Sequence, residues 1–170
     1  MTSKKLIIIS GITGFIGSSV VDQKINDPKY LILGTSSSSY FKFNGNKPQE
    51  IKFEEFVEIT GNYKEASLVY LATFFSLDSK DDKKILDANY YYGIKLLKKL
   101  EKVNLNKIIL FNTMFSLSSD KNLLNSKYVT SKIIFQSMLK NIVYQIQFYL
   151  MNFILIIPLE SKTKEKKLFQ

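Results

Sequence analysis

Apolar residues recur along the first 140 positions with two periods, and the alternation between the periods organises the chain. Leu6-Ile7-Ile8-Ile9 is an uninterrupted apolar run, mostly β-branched, before Gly11, so residues 5–10 read as a strand buried on both faces. Phe15, Ile16, Val20, Val21 and Ile25 then fall on one helical face, which predicts a helix over 15–26 stopped by Asn26-Asp27-Pro28. Tyr30 to Gly34 reads as a second strand, followed by the serine run 36–39. Residues 41–50 carry Asn-Gly-Asn and Lys-Pro and are expected to be a polar loop. A short strand or turn and a short helix are expected over 51–66. Ser67 to Ala72 is a third apolar run, residues 81–102 a long helix with Ile85, Ala88, Leu96, Leu97 and Leu100 inward, and Lys107 to Asn112 a further strand. A last helix is expected over 126–140. Strands alternating with helices predict an α/β fold with a Rossmann-like, doubly wound parallel sheet.

Composition narrows the chemistry. The 170 residues suffice for one domain with a sizeable core. All 24 basic side chains are lysine, and His, Cys and Trp are absent. Without Cys there is no disulfide, thiolate nucleophile or thiolate metal site, and without His the commonest metal ligand and triad base are missing. The formal charge of +9 is spread along the chain and includes no arginine to read guanine edges, so a solvated basic surface is expected, not specific nucleic-acid binding.

Gly11-Ile12-Thr13-Gly14-Phe15-Ile16-Gly17 lies between a strand and a helix. Gly11 permits the sharp exit from the strand, Gly14 lets a pyrophosphate approach the backbone, and Gly17 lets the helix pack closely on the sheet. The helix N-terminus, entered through Phe15 and Ile16, offers N–H groups and a partial positive charge to phosphates. This context predicts a bound dinucleotide; a glycine turn serving packing alone is the alternative. The acidic residue that would hold the adenosine ribose, about 20 positions on, is missing. Gly34-Thr35-Ser36-Ser37 stands there, and its hydroxyls with nearby Lys42 favour NADP over NAD as the 2′-substituent partner.

Tyr128-Val129-Thr130-Ser131-Lys132 supplies the second half of the chemistry. Residues four apart share a helical face. An ammonium near a phenol favours phenolate and is expected to lower the Tyr128 pKa, making Tyr128 a workable general acid/base. Lys132 is also placed to hold the cofactor ribose. The pattern arises by chance on many helices of a chain with ten tyrosines; its position after a dinucleotide turn and a strand gives it weight.

These pieces together resemble the extended short-chain dehydrogenases/reductases, the NAD-dependent epimerase/dehydratase family. The resemblance rests on residues 11–17, Tyr-Leu-Ala-Thr at 70–73, Asn89 with Gly93, Phe-Asn-Thr at 111–113 and Tyr-x-x-Ser-Lys at 128–132. It implies hydride transfer between NAD or NADP and a carbon of a nucleotide-activated sugar, with Tyr128 trading the proton. It implies that Thr113, with Ser116 next, binds the sugar oxygen, that Asn89 orders a proton-relay water, and that Ala72, Thr73, Ser36 and Lys132 line the cofactor cleft. The stretches 111–117 and 128–135 are similar to the branch that reduces CDP-linked 4-keto-6-deoxyhexoses, which implies a cytoplasmic enzyme of surface-polysaccharide (lipopolysaccharide) synthesis.

The resemblance covers residues 5 to 140 and fades after about Leu139. A dinucleotide-binding domain is therefore expected over 1–140 and an atypical tail over 141–170, with the substrate-binding part missing and the sheet incomplete at its C-terminal end. Residues 142–157 carry no charge. Three readings stand for this end: a sixth strand at 154–158 followed by a solvated charged tail, out-of-frame sequence after a coding disruption, or a membrane-contacting segment. The last is disfavoured because the run falls short of ~20 apolar residues. A shortened domain exposes apolar faces, so poor solubility or a homodimer is expected. A catalytically inactive cofactor-binding remnant is the alternative to an enzyme.

Overall fold

The computed structural model describes residues 4–24, 26–37, 39–44, 47–63, 65–146 and 149–155, of which Asn44, 142–146 and 149–155 are described by their backbone alone. One seven-stranded sheet runs through them. Its strands are β1 (Lys5–Ser10), β2 (Tyr30–Thr35), β3 (Tyr40–Asn44), β4 (Lys47–Ile51), β5 (Ala66–Tyr70), β6 (Leu105–Thr113) and β7 (Tyr149–Leu155), in the order β4-β3-β2-β1-β5-β6-β7. Neighbours from β2 through β7 pair in parallel, which is the expected doubly wound α/β arrangement. Strand β2 lies on one side of β1 and β5 on the other, so the chain reverses its direction of winding at β1. Ligands of such sheets bind outside the carboxyl ends of the strands at that reversal.

The segment expected as a polar loop is instead the antiparallel hairpin β3–β4, which extends the sheet beyond β2. Its alternation decides the matter. Phe41 and Phe43 pack with Ile9, Ile12, Val21 and Ile32 on one face, while Tyr40 lies against Phe53 and Phe56 on the other, 5.3 and 4.8 Å between ring centroids. The pairing of the hairpin runs from Tyr40 with Ile51 to Asn44 with Lys47.

Helix α1 (Phe15–Lys24) packs on the face of Ile9, Ile12 and Ile32 through Val21. The opposite face carries the main core: Leu6, Ile8, Leu33, Phe56, Leu68 and Ile108 with Leu96, Leu100, Phe135 and Leu139 from the covering helices. Those are α2 (Phe53–Gly61), α3 (Asp82–Leu86), α4 (Tyr92–Lys99) and α6 (Lys127–Ile146); α5 (Lys121–Leu124) is a single turn before α6. The expected helix over 81–102 is α3 and α4 joined by a π-helical turn, Asp87–Tyr91. One extra residue in that turn shifts the buried stripe, so Ile85, Asn89, Gly93 and Leu96 point inward, and Ala88 and Leu97 are only half-buried. At the C-terminal end the additional strand forms earlier than expected: β7 pairs with β6 over 149–155, and residues 156–158, with the expected charged tail, lie outside the described residues.

Candidate active site

The turn after β1 is built around backbone, not side chains. Gly11 has φ +69°, and a Cβ there would meet the Ala72 backbone N at 2.8 Å and Cα at 2.9 Å. The turn therefore nests directly on the segment leaving β5, at Ala72. A Cβ on Gly17 would meet the Gly11 carbonyl oxygen at 2.5 Å and Ile12 Cα at 2.8 Å. Gly17 thus seats α1 on the turn itself, whereas sequence reasoning assigned it to helix–sheet packing. A Cβ on Gly14 would have Gly11 O at 3.2 Å as its close neighbour. Phe15 is exposed and Ile16 half-buried at the helix entry. A dinucleotide fits this geometry: the N-terminus of α1 and a turn without a Cβ at Gly11 and Gly14 share the carboxyl edge of the sheet.

Ser10 is a residue the motif reading missed. It is fully buried, and its Oγ accepts from the N–H groups of Leu71 and Ala72 at 3.1 and 3.3 Å, locking the end of β1 to the segment after β5. Only its position before Gly11 hinted at this role.

The adenosine end departs from expectation. Ser36 closes a turn on itself: its N–H donates to the Ser39 carbonyl and its Oγ accepts from the Ser39 N–H. The Thr35 hydroxyl is buried and shares a 2.5 Å hydrogen bond with Tyr92 Oη. Lys42 pairs with Leu33, two positions inside the end of β2.

Tyr128 and Lys132 do share one face of α6, and both reach the carboxyl ends of β5 and β6. The Thr113 and Thr73 side chains lie on the Tyr128 hydroxyl side and pull its pKa down, against the larger effect of burial. Phe75 meets its ring edge-on at 4.8 Å between centroids, and Phe115 stacks on Phe75 at 5.9 Å. Burial pushes the phenol above its ordinary range. That reverses the expected lowering. The reason is geometric: Lys132 Nζ donates to the Phe111 carbonyl at 3.0 Å and lies 5.8 Å from the Tyr128 ring centroid, over the ring instead of at the oxygen. Burial in turn pulls Lys132 down to about 8.

Thr113 ends β6, buried, with its Oγ1 accepting from the Phe115 N–H at 3.3 Å. The Ser116 hydroxyl donates to the Thr113 carbonyl at 2.7 Å, so of the two candidates it is Thr113 whose hydroxyl faces Tyr128. Asn89 does not behave as a water-orienting group. Its Oδ1 accepts from Phe74 N–H at 2.6 Å and Thr73 Oγ1 at 3.1 Å, and its Nδ2 donates to the Phe74 carbonyl and Ser131 Oγ at 3.1 and 3.3 Å. Four bonds exhaust a carboxamide. Beside the site, a cleft of about 320 Å³ is lined by Ser76, Leu77, Asp82, Ile85, Asn122 and Ser126 among others.

The fold is that of Rossmann-type nucleotide-binding domains. Solved structures share it at low identity. The chain is similar to UDP-glucuronic acid 4-epimerase from Bacillus cereus in complex with NAD (TM-score 0.64, 16% identity, 86% of this chain and 54% of that one). It is similar to UDP-glucose 4-epimerase from Thermotoga maritima with UDP-glucose (0.65, 19%, 86% and 54%) and to a short-chain dehydrogenase family protein from Francisella tularensis (0.63, 19%, 88% and 68%). The chain thus spans about half the length of the epimerases it matches. No protein-family model matches the sequence, and no curated protein matches it significantly.

Proposed function

We propose that this chain belongs to the extended short-chain dehydrogenases/reductases and binds NAD or NADP over the Gly11–Gly17 turn, with Tyr128, Lys132 and Thr113 as catalytic residues. The substrate class is a nucleotide-activated sugar, in keeping with the UDP-sugar epimerases of the same fold. The observation that carries the reading is the meeting of Tyr128 with Thr113 and Thr73 at the carboxyl edge where Gly11 nests against Ala72. Residues from four separate stretches converge there.

The nicotinamide, when bound, supplies or takes the hydride at the sugar carbon. Tyr128, held as a neutral phenol, donates the proton to a carbonyl oxygen that becomes the hydroxyl, and Thr113 orients that oxygen. Lys132 would hold the ribose of the cofactor. Phe75 and Phe115 exclude water from the phenol. A raised phenol suits proton donation, hence reduction of a keto-sugar, and the finer reading is a CDP-linked 4-keto-6-deoxyhexose reductase of surface-polysaccharide synthesis. The dinucleotide-binding domain occupies 1–140, with β7 added at its edge, and the expected setting is the cytoplasm, as a homodimer. No helix among the described residues is long and apolar enough to cross a membrane.

Binding of NADH and NADPH to the full chain is measured by calorimetry, then turnover of CDP- and UDP-linked 4-keto-sugars. Tyr128→Phe is expected to abolish turnover and leave cofactor affinity within about twofold, since only the proton donor is lost. A fully active variant overturns the assignment of Tyr128. Cofactor binding without turnover by the wild type supports the second reading, a non-catalytic cofactor-binding domain. Absence of cofactor binding overturns both.

A further inference from the structure

The cleft beside Tyr128 is walled by two stretches distant in sequence, the segment running from β5 into α3 and the segment from α5 to the start of α6. Each wall is pinned from within. Ser76 Oγ donates to Asp81 Oδ2 at 2.9 Å and accepts from the Asp78 N–H at 3.1 Å, and Ser126 Oγ donates to the Leu123 carbonyl at 2.7 Å. Between these fixed points the polar lining is unused. The side chains of Ser79, Asp82, Asn122, Asn125 and Lys127 make no hydrogen bond or ion pair with the other described residues. Leu77 and Ile85 supply the apolar part, and Ile85 is itself packed with Tyr128 and Val129.

We propose that this cleft binds one neutral, polyhydroxylated ring, a monosaccharide unit. Its volume of about 320 Å³ lies at the low end of the ~300–1,000 Å³ of small-ligand pockets, room for a ring and not for a whole nucleotide-sugar. Sugar hydroxyls donate and accept at once, and the unused groups match that. The Asp82 carboxylate accepts, the Lys127 ammonium donates, and Ser79, Asn122 and Asn125 do both. Leu77 and Ile85 suit the C–H face of the ring. Other ligand classes fit worse. Asp82 opposes an anion and Lys127 a cation. Among the described residues no group of three acidic, His or Cys side chains could hold a metal ion. No aromatic ring lines the cleft to stack a nucleobase. One wall continues from Ser76 into Phe75, which meets the Tyr128 ring edge-on, and the other continues from Lys127 into Tyr128 itself. A ring bound here therefore braces both segments behind that phenol. The cleft shares no lining residue with the Gly11–Gly17 turn, so the site stands whether or not Tyr128 is catalytic.

The test follows the side-chain amide resonances of Asn122 and Asn125 in the full ¹⁵N-labelled chain, each assigned by its loss in Asn122→Leu or Asn125→Leu. Both residues are exposed, so neither variant disturbs the core. The probes are methyl glucoside and methyl galactoside, UDP-glucose and UDP-galactose, and, as controls, UDP alone, inorganic phosphate and cyclohexanol. A sugar is expected to shift both resonances saturably, with a midpoint on the order of millimolar for one uncharged ring. Asn125→Leu, followed at Asn122, is expected to weaken binding about fivefold, the loss of one hydrogen bond, and Asn122→Leu, followed at Asn125, to do the same. Saturation by the methyl glycosides identifies the ligand as a free sugar, and saturation by the UDP-sugars alone identifies it as the sugar of a nucleotide-sugar; either supports the proposal. No saturable shift with any sugar overturns it, as does an equal shift with UDP alone, phosphate or cyclohexanol, or unchanged affinity in both leucine variants. Cofactor is absent from the measurement, so failure of the enzymatic reading shows in the cofactor-binding and turnover experiments and not here.

Discussion

At the scale of single residues, spacing and environment gave different information about the Tyr–Lys pair. The i,i+4 interval places two side chains on one face, and the structure keeps them there. It does not place the charged end. Four flexible bonds separate Lys132 Cα from Nζ, and the ammonium is satisfied by the Phe111 carbonyl. Burial then governs both groups, raising Tyr128 and pulling Lys132 to about 8. The linkage sign follows. An unfolded lysine titrates near ~10.4, so between pH 8 and about 10.4 the unfolded chain binds more protons and stability rises with pH. Below pH 8 the full cost of burying the charge is present. Lys132→Met is expected to lose this rise, worth about 3 kcal/mol at most. Urea midpoints of both proteins at pH 7.5 and 9.5 check it; an equal rise in the variant would refute the assignment to Lys132.

At the scale of elements, close approach of backbone is the recurring device. Gly17 lies against the Gly11 carbonyl, whereas nothing lies within 4 Å of a Cβ placed on Gly61 at the end of α2. Gly17→Ala is therefore expected to cost several kcal/mol, on the order of 2–4, because backbone must move. Gly61→Ala is expected to stabilise by about 0.5–1 kcal/mol through helix propensity. Chemical denaturation of both variants decides; equal effects would mean that α1 does not seat on the turn. The same device explains Gly93, where a Cβ would meet the Phe135 ring at 2.4 Å. There α4 and α6 close over Tyr70, whose ring lies 4.8 Å from that of Phe135. The π-helical turn just before Gly93 was not legible, since a polar Asn89 takes the inward position that helical periodicity assigned to Ala88. The hairpin β3–β4 was legible in its alternation, but residues 41–50 were read as a polar loop.

At the scale of the whole molecule, two buried tyrosines and the half-buried Tyr92 set the alkaline limit. Burial raises Tyr70, Tyr92 and Tyr128, with Tyr92 pushed up to about 12 and Tyr70 raised further by its neighbour Tyr92. Above pH ~10 the unfolded chain loses phenolic protons that the folded chain keeps, so their stabilising contribution is lost as pH rises. Combined with Lys132, stability is expected to climb from pH 8 toward 10 and then fall. A series of denaturation midpoints from pH 7 to 11 traces this. A monotonic curve would show that these four groups do not control it.

What the sequence determined alone was the order of elements and the two local motifs. Strand, glycine turn and helix are contiguous, and helical spacing is a property of neighbours in the chain. The carboxyl edge as a site, the nesting of Gly11 on Ala72, the Ser10 lock and the Asn89 clamp required the tertiary structure. Each joins residues 15 to 62 positions apart, and no local pattern encodes which of two hydroxyls finds which amide. The pKa of Tyr128 belongs to the same class. Its sign was decided by how much water the fold removes, a quantity that exists only once the strands and helices have closed around the ring.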